Sequence, residues 1–429
     1  MLGQEYSQKA KQFVDHIRFE HQGGEYVGNG ILNWDPNKGF HLDAFLKRSG
    51  PALPETQYFG KAGAIAPSDL RSLRMRWKRG DEAYAISPKV EVGDGLALSG
   101  GKQLEIDFPS LLAVRNSTRL RTDGRHSGTC LINIGKGIVL PDLVESESRI
   151  SGDVFQRGFT RSAITHEDAG FDLRAWVRPD GLLHAEYDFK GAYDAKRAAW
   201  RFSKALELAL SIVSGVAVRL VERSCCRGDR WFVERFRLRE PIRFELLSPI
   251  RYRGTVPKKF LLQVAGKIVV DKEFEFITAR IVEQLTDAAQ QRTWEARELL
   301  CANTLDAALR TLAGKPYKRQ HRDTYIEQCM SAFREAHLPD GWEEACNRVL
   351  RSYHDLRHRN AHPDWLTTSG GQLSKEGVGK RIDDLIRVCT FCGSIVLALA
   401  GLKPLASQFP NPIDTWGPLI TITPARSVP

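Results

Sequence analysis

The sequence predicts an α+β protein: a β-rich N-terminal domain, sandwich or barrel-like, followed by an all-α C-terminal helical bundle. Three observations predict it. Of the 36 glycines, 27 lie in residues 1–271 and only 8 in residues 272–405, so turn-forming residues are concentrated in the first part. Apolar residues come in short or alternating runs early in the chain and recur at helical spacing later. The charge also divides: residues 201–269 carry 15 basic and 6 acidic side chains, whereas residues 270–405 carry 19 of each. The basic excess therefore sits just ahead of the bundle.

In the first region the turn signals are Gly23-Gly24, Asp35-Pro36, Gly93-Asp94-Gly95, Gly100-Gly101 and Pro179-Asp180-Gly181. Between them Gly30–Trp34, Leu104–Phe108, Cys130–Ile134 and Phe171–Val177 read as strands. From Ala195 to Arg223 the spacing of Trp200, Leu206, Leu210 and Val213 predicts a helix that Gly215 ends or bends. A short strand-like segment follows from Trp231 to Leu247. Five helices are then predicted over Phe274–Ala289, Trp294–Ala313, Asp323–His337, Trp342–Asn360 and Lys375–Leu399, with stop signals at Gly314-Lys315-Pro316 and Pro339-Asp340-Gly341. The division is a β-rich sensor domain over 1–194, a helix plus basic strand segment over 195–270, the bundle over 271–405 and a proline-rich tail over 406–429.

Composition excludes several classes. With 429 residues, 42% hydrophobic and 27% charged, the chain is neither wholly disordered nor fibrous. Eight scattered cysteines do not make a disulfide framework. The N-terminus lacks an apolar signal region, and the most apolar stretch, Ala205–Val221, carries Glu207 and Arg219. A soluble protein of the reducing cytoplasm, without membrane attachment, is expected. A net charge of +10 favours an anionic partner such as nucleic acid. Arg235, Arg237 and Arg239 alternate, so a strand through them would set three guanidinium groups on one face, either as a phosphate ladder or as a solvated face that discourages edge pairing.

The stretch Arg351–His362 packs three arginines and three histidines into twelve residues before Pro363. Proline pushes its predecessor out of the α region, so His362 is expected to leave the helix. Three readings compete. His354, His358 and His362 lie four apart, as helical zinc ligands can, but Arg351 and Arg357 would repel a cation, and no Cys or Glu stands at a zincin spacing. A charged helix end complementing the helix dipole is the structural reading. The third is phosphoryl chemistry on RNA, in which a histidine moves a proton near neutral pH and an arginine holds the phosphate charge, with no metal needed.

The segment LRHRNAHPDW resembles the Arg-polar-x3-His motif of HEPN domains, with Arg357, His358 and His362 at the motif positions. Arg297–Gly314 looks like the helix of that family that carries a buried acidic residue among leucines, with Asp306 in that place. The β-rich half followed by Ala209–Gly215 looks like the N-terminal region of ApeA-type HEPN proteins of bacterial antiviral defence. The resemblance implies a metal-independent, cofactor-free endoribonuclease acting on RNA at a homodimer cleft, in abortive antiviral defence, with a phage-derived trigger at the N-terminal domain. It implies His362 as general base or acid, Arg357 for transition-state charge and His358 for orientation or proton relay. Asn360, Arg359 and Arg351 are the substrate-binding candidates. On an unbroken helix Arg357 and His362 stand about 140° apart, so one phosphate meets both only if the helix ends before His362 or a partner chain supplies one. The rival reading is a non-catalytic RNA- or nucleotide-binding or dimerisation module.

Two further signals are weaker. Gly95–Lys102 mimics a phosphate loop, but its spacing is one residue too long and Gln103 replaces the Ser or Thr that would bind magnesium, so it reads as a hairpin turn. Cys389 and Cys392 form a C-x-x-C inside an apolar helix, where core packing is the favoured role.

Overall fold

The computed structural model describes residues 10–21, 24–36, 38–49, 73–76, 82–86, 89–92, 102–108, 110–116, 125–135, 138–150, 154–190, 194–227, 230–244, 256 and 258–313, together with 326–327, 330–331, 347, 350–351, 353, 385, 388–389, 392–393, 395–397 and 399–401. The Gly95–Gly101 turn and the 406–429 tail lie outside the described residues. The protein is α+β, with a β-rich N-terminal region and helices later in the chain. The strands are β1 (Ala10–His21), β2 (Gly24–Asp35), β3 (Gly39–Ser49), β4 (Arg74–Arg76), β5 (Glu82–Ile86), β6 (Lys89–Val92), β7 (Lys102–Phe108), β8 (Ser110–Asn116), β9 (Arg125–Asn133), β10 (Asp142–Ile150), β11 (Val154–Glu167), β12 (Phe171–Val177) and β13 (Leu182–Lys190). Helix α1 (Asp194–Ser214) leads into β14 (Val216–Ala217), β15 (Arg219–Arg227), β16 (Arg230–Phe236) and β17 (Ile242–Arg243), and then come α2 (Lys258–Val270), α3 (Lys272–Ala289) and α4 (Trp294–Ala313).

Two compact units share the chain. The first comprises 1–133, 165–203 and 219–240, and the second 134–164, 204–218 and 241–429. In the first unit the antiparallel strand order is β12-β13-β9-β15-β16-β8-β5-β4-β1-β2-β3-β7-β6. Alternation builds its core: the even positions Leu32, Trp34, Phe40, Leu42, Ala44 and Ile106 are all buried in one cluster. In β1 the inward phase changes from Val14 to Ile17, because the pairing with β2 shifts between those residues and an irregularity there rotates the strand. The strands from β8 to β7 curl about this cluster, so that β3 packs against β8 although four strands lie between them. Gly28 and Gly30 allow the tight curl, since a Cβ at either would strike the β3 backbone carbonyl of Phe45 or Asp43.

The start of α1 covers strands of the same unit. The Phe202 ring lies 4.8 Å from both Phe171 and Tyr187, and the Arg223 guanidinium stands 4.0 Å from the Trp200 ring centre while pairing with Glu234 at 2.6 Å. The helix ends at Ser214, and Gly215 adopts φ +69°. Of the two expected outcomes at Gly215, ending the helix is the one observed: the left-handed turn there stops it, and β14 and β15 occupy the rest of the stretch to Arg223.

The arginine ladder is corrected as well. β16 closes at Phe236, and Arg235 is 4% exposed, with Nε and Nη2 donating to Glu222 Oε2 at 3.1 and 3.0 Å and its guanidinium 6.0 Å from the Trp34 ring. Its charge is spent on Glu222 inside the sheet, which leaves no three-arginine surface row.

In the second unit α3 packs against both α2 and α4. Helix α2 was not among the expected elements, since within 195–270 the sequence reading names a helix and a strand-like segment from Trp231 to Leu247. Phe260, Leu261, Val264, Ala265, Ile268 and Val269 are buried at helical spacing, a pattern masked by Gly266 and by a β-branched end. Lys258 pairs with Asp142 at 3.1 Å, tying α2 to β10. Asp271 caps α3, its carboxylate accepting from the Glu273 and Phe274 amides at 3.0 Å each. These backbone donors, Phe274 foremost, hold the Asp271 carboxyl below its ordinary value. The expected helix Trp294–Ala313 is observed with those bounds, and the expected Phe274–Ala289 begins two residues earlier. The described residues of the last three expected helices are helical.

Candidate functional site

Of the sequence-predicted site residues, Arg351 is described. Arg357, His358, Arg359, Asn360 and His362 lie outside the described residues, as does His354. On the helix leading to them, Leu350 and Tyr353 are buried and Arg351 is exposed, the split that an amphipathic helix three residues per contact requires. Arg351 Nε donates to Asn347 Oδ1 at 3.1 Å, one turn back.

Helix α4 carries the acidic residue singled out in the sequence. Asp306 is 6% exposed, in a helix whose Cys301, Ala302, Leu305 and Ala308 are also buried. A second acid, Glu298, is 0% exposed two turns earlier and was not singled out. Two buried carboxylates on one helix are costly unless each is hydrogen-bonded or paired, and both have polar partners here. Glu298 lies among Arg297, Leu299 and Leu300, so its neighbours in sequence gave no sign of a buried position; spacing from Cys301 and Leu305 by three and seven residues is the signal that could have found it.

The C-x-x-C helix packs into the same unit. Cys389 and Cys392 are buried with Val388, Ile395 and Val396, so both thiols are core side chains. Cys389 donates to Cys301 Sγ of α4 at 2.9 Å, a contact between residues 88 apart in sequence. Burial pushes the Cys389 and Cys392 thiols well above their ordinary range. Gln263 of α2 donates to the Ala400 carbonyl at 2.8 Å, satisfying an otherwise open group near the end of this last helix, where Gly401 turns with φ +71°.

The first unit holds a polar cluster that sequence inspection missed. His41 Nδ1 lies 2.7 Å from Asp107 Oδ1 and Nε2 lies 2.9 Å from Asp43 Oδ1, while Asn33 donates to Asp43 Oδ2 at 2.9 Å. The register Asn33↔His41↔Asp107 across β2, β3 and β7 assembles it. Burial alone lowers the imidazole pKa, but hydrogen bonds to Asp107 and Asp43, with their negative charge, outweigh it and raise the value. With a carboxylate on each nitrogen, the ring clips β3 to β7 and, when protonated, donates to both carboxylates. Among the described residues no group of three or more His, Cys, Asp or Glu side chains is arranged to hold a metal ion, and no helix is long and apolar enough to cross a membrane.

No family model matches the chain. Neither the curated proteins nor the solved structures include a match. The geometry and the sequence therefore carry the functional reading.

Proposed function

We propose that the chain is a metal-independent endoribonuclease of HEPN type, with an all-α C-terminal bundle that acts on RNA as a homodimer. The observation that carries the reading is the sequence Arg357-x4-His362, preceded in the chain by a helix with a buried acid, Asp306. In the proposed reaction the RNA 2′-hydroxyl attacks the adjacent phosphorus and the bond from phosphorus to the 5′-oxygen breaks. The products are a 2′,3′-cyclic phosphate and a 5′-hydroxyl. His362 takes the 2′ proton or delivers one to the leaving oxygen, His358 orients it or relays the proton, and Arg357 holds the charge that grows on the phosphoryl oxygens. Asn360, Arg359 and Arg351 bind the strand. A cytoplasmic defence role, with a phage component as trigger at the β-rich domain, belongs to the same proposal.

The test is RNA cleavage with EDTA present, comparing the parent with Arg357→Ala and His362→Ala. Each variant is expected to lose on the order of 10²-fold or more in rate, and the parent's profile to show a limb near the imidazole pKa. Unchanged cleavage in both variants removes the proposed site, and loss of cleavage with EDTA points to the histidine-metal reading. RNA binding that depends on salt but is never followed by cleavage supports the non-catalytic module.

A further inference from the structure

We propose that Cys301 and Cys389 are a reversible covalent site, oxidised to a disulfide that staples α4 to the C-terminal helix. The two sulfurs stand 2.9 Å apart, inside their non-bonded contact distance, and come from residues 88 apart in sequence. Both residues are 3% exposed and Cys392 is 0% exposed, so the thiols face one another in dry core.

The pairing explains what the C-x-x-C spacing by itself does not. Cys389 and Cys392 lie on one helix, with buried neighbours Val388, Ile395 and Val396. The partner that Cys389 meets belongs to a different helix. A bond there would close a loop that contains Arg351, Arg357, His358, Arg359, Asn360 and His362. Closing so long a loop removes many conformations from the unfolded chain, so oxidation is expected to stabilise the second unit.

The co-reactant is a small-molecule disulfide. One thiolate attacks its sulfur and releases one thiol, forming a mixed disulfide. The second cysteine then displaces the other thiol, so two protein hydrogens leave on two small-molecule thiols and the protein gains one S–S bond. Entry to the buried pair needs local opening, which makes the first step slow, while proximity makes the second fast. The site does not depend on the nuclease reading.

The experiment uses the full chain, reduced and then exposed to glutathione disulfide under native conditions. Remaining thiols are blocked with N-ethylmaleimide, and a non-reducing tryptic digest is mapped by mass spectrometry. The expected product joins the peptide Glu298–Arg310 to the peptide that begins at Val388, two hydrogens lighter than the pair, and it reverts on adding dithiothreitol. The linked species also melts higher than the reduced protein. Cys392→Ser is expected to keep the link, whereas Cys301→Ser and Cys389→Ser lose it. The proposal is overturned if the parent yields only unlinked thiols or glutathione adducts at these positions, or if the link persists in Cys389→Ser through Cys392. The parent measurement stands even if a variant fails to fold.

Discussion

Replacing Arg235 by alanine separates a core ion pair from a nucleic-acid contact. The guanidinium is 4% exposed, and its Nε and Nη2 both meet Glu222 Oε2. Removing one member of a buried pair costs about 3–5 kcal/mol, because the other charge is left without its partner. The Glu222 side chain keeps 21% exposure, so water recovers part of that loss and the lower end, about 3 kcal/mol, applies. With a urea dependence of about 2–3 kcal/mol per molar for a unit of this size, the midpoint should fall by about 1 M. The assay is urea unfolding of the parent, Arg235→Ala, and the double variant Arg235→Met with Glu222→Gln, which removes both charges and should recover all but about 1 kcal/mol. RNA affinity measured against salt in the same variants should keep its slope, since a paired core arginine releases no counterion. An Arg235→Ala protein as stable as the parent, with a salt slope shallower by about one phosphate contact, would refute the reasoning and restore the ladder.

The His41 clip makes the stability of the first unit depend on pH. Its pKa is raised in the folded state, so its contribution is fully present below the unfolded value of about 6.5 and is lost as pH rises through the folded value. Parent and His41→Gln should therefore diverge in urea midpoint in mildly acidic buffer and converge in alkaline buffer; a gap that is constant with pH counts against the clip. Asp271 runs the other way, because its pKa is lowered: the cap is present above about 4 and fades as pH falls through the folded value. Asp271→Ala should cost about 1 kcal/mol near neutral pH, measured by denaturant unfolding, while Asp271→Asn keeps most of the capping bond.

Elements with a strong local period were legible in the sequence. Phe171–Val177 alternates its apolar residues between Gly170 and Pro179-Asp180-Gly181 and was read with its observed bounds, and Trp294–Ala313 was too, its end marked by Gly314-Lys315-Pro316. Asp306 was singled out through the resemblance of Arg297–Gly314 to a HEPN helix, not through local spacing, and it is buried. Helix α2 was not legible, because Gly266 and three β-branched residues at its end argue locally against the helix that its buried face sustains. The role of Arg235 was hidden for another reason. Alternation gives the face of a strand that a side chain occupies, but not whether the sheet curls that face inward.

The sequence by itself determined the class of the protein, the order of β-rich and helical regions, the turn at Gly215 and the run of arginine and histidine from 351 to 362. These follow from properties that act over a few residues: turn chemistry, apolar period and side-chain type. The tertiary structure alone decided which distant groups meet. It brought His41 between Asp43 and Asp107, buried Arg235 against Glu222, and set Cys301 beside Cys389. Those meetings depend on strand register and helix packing, which are fixed by the simultaneous burial of many side chains rather than by any short stretch of chain.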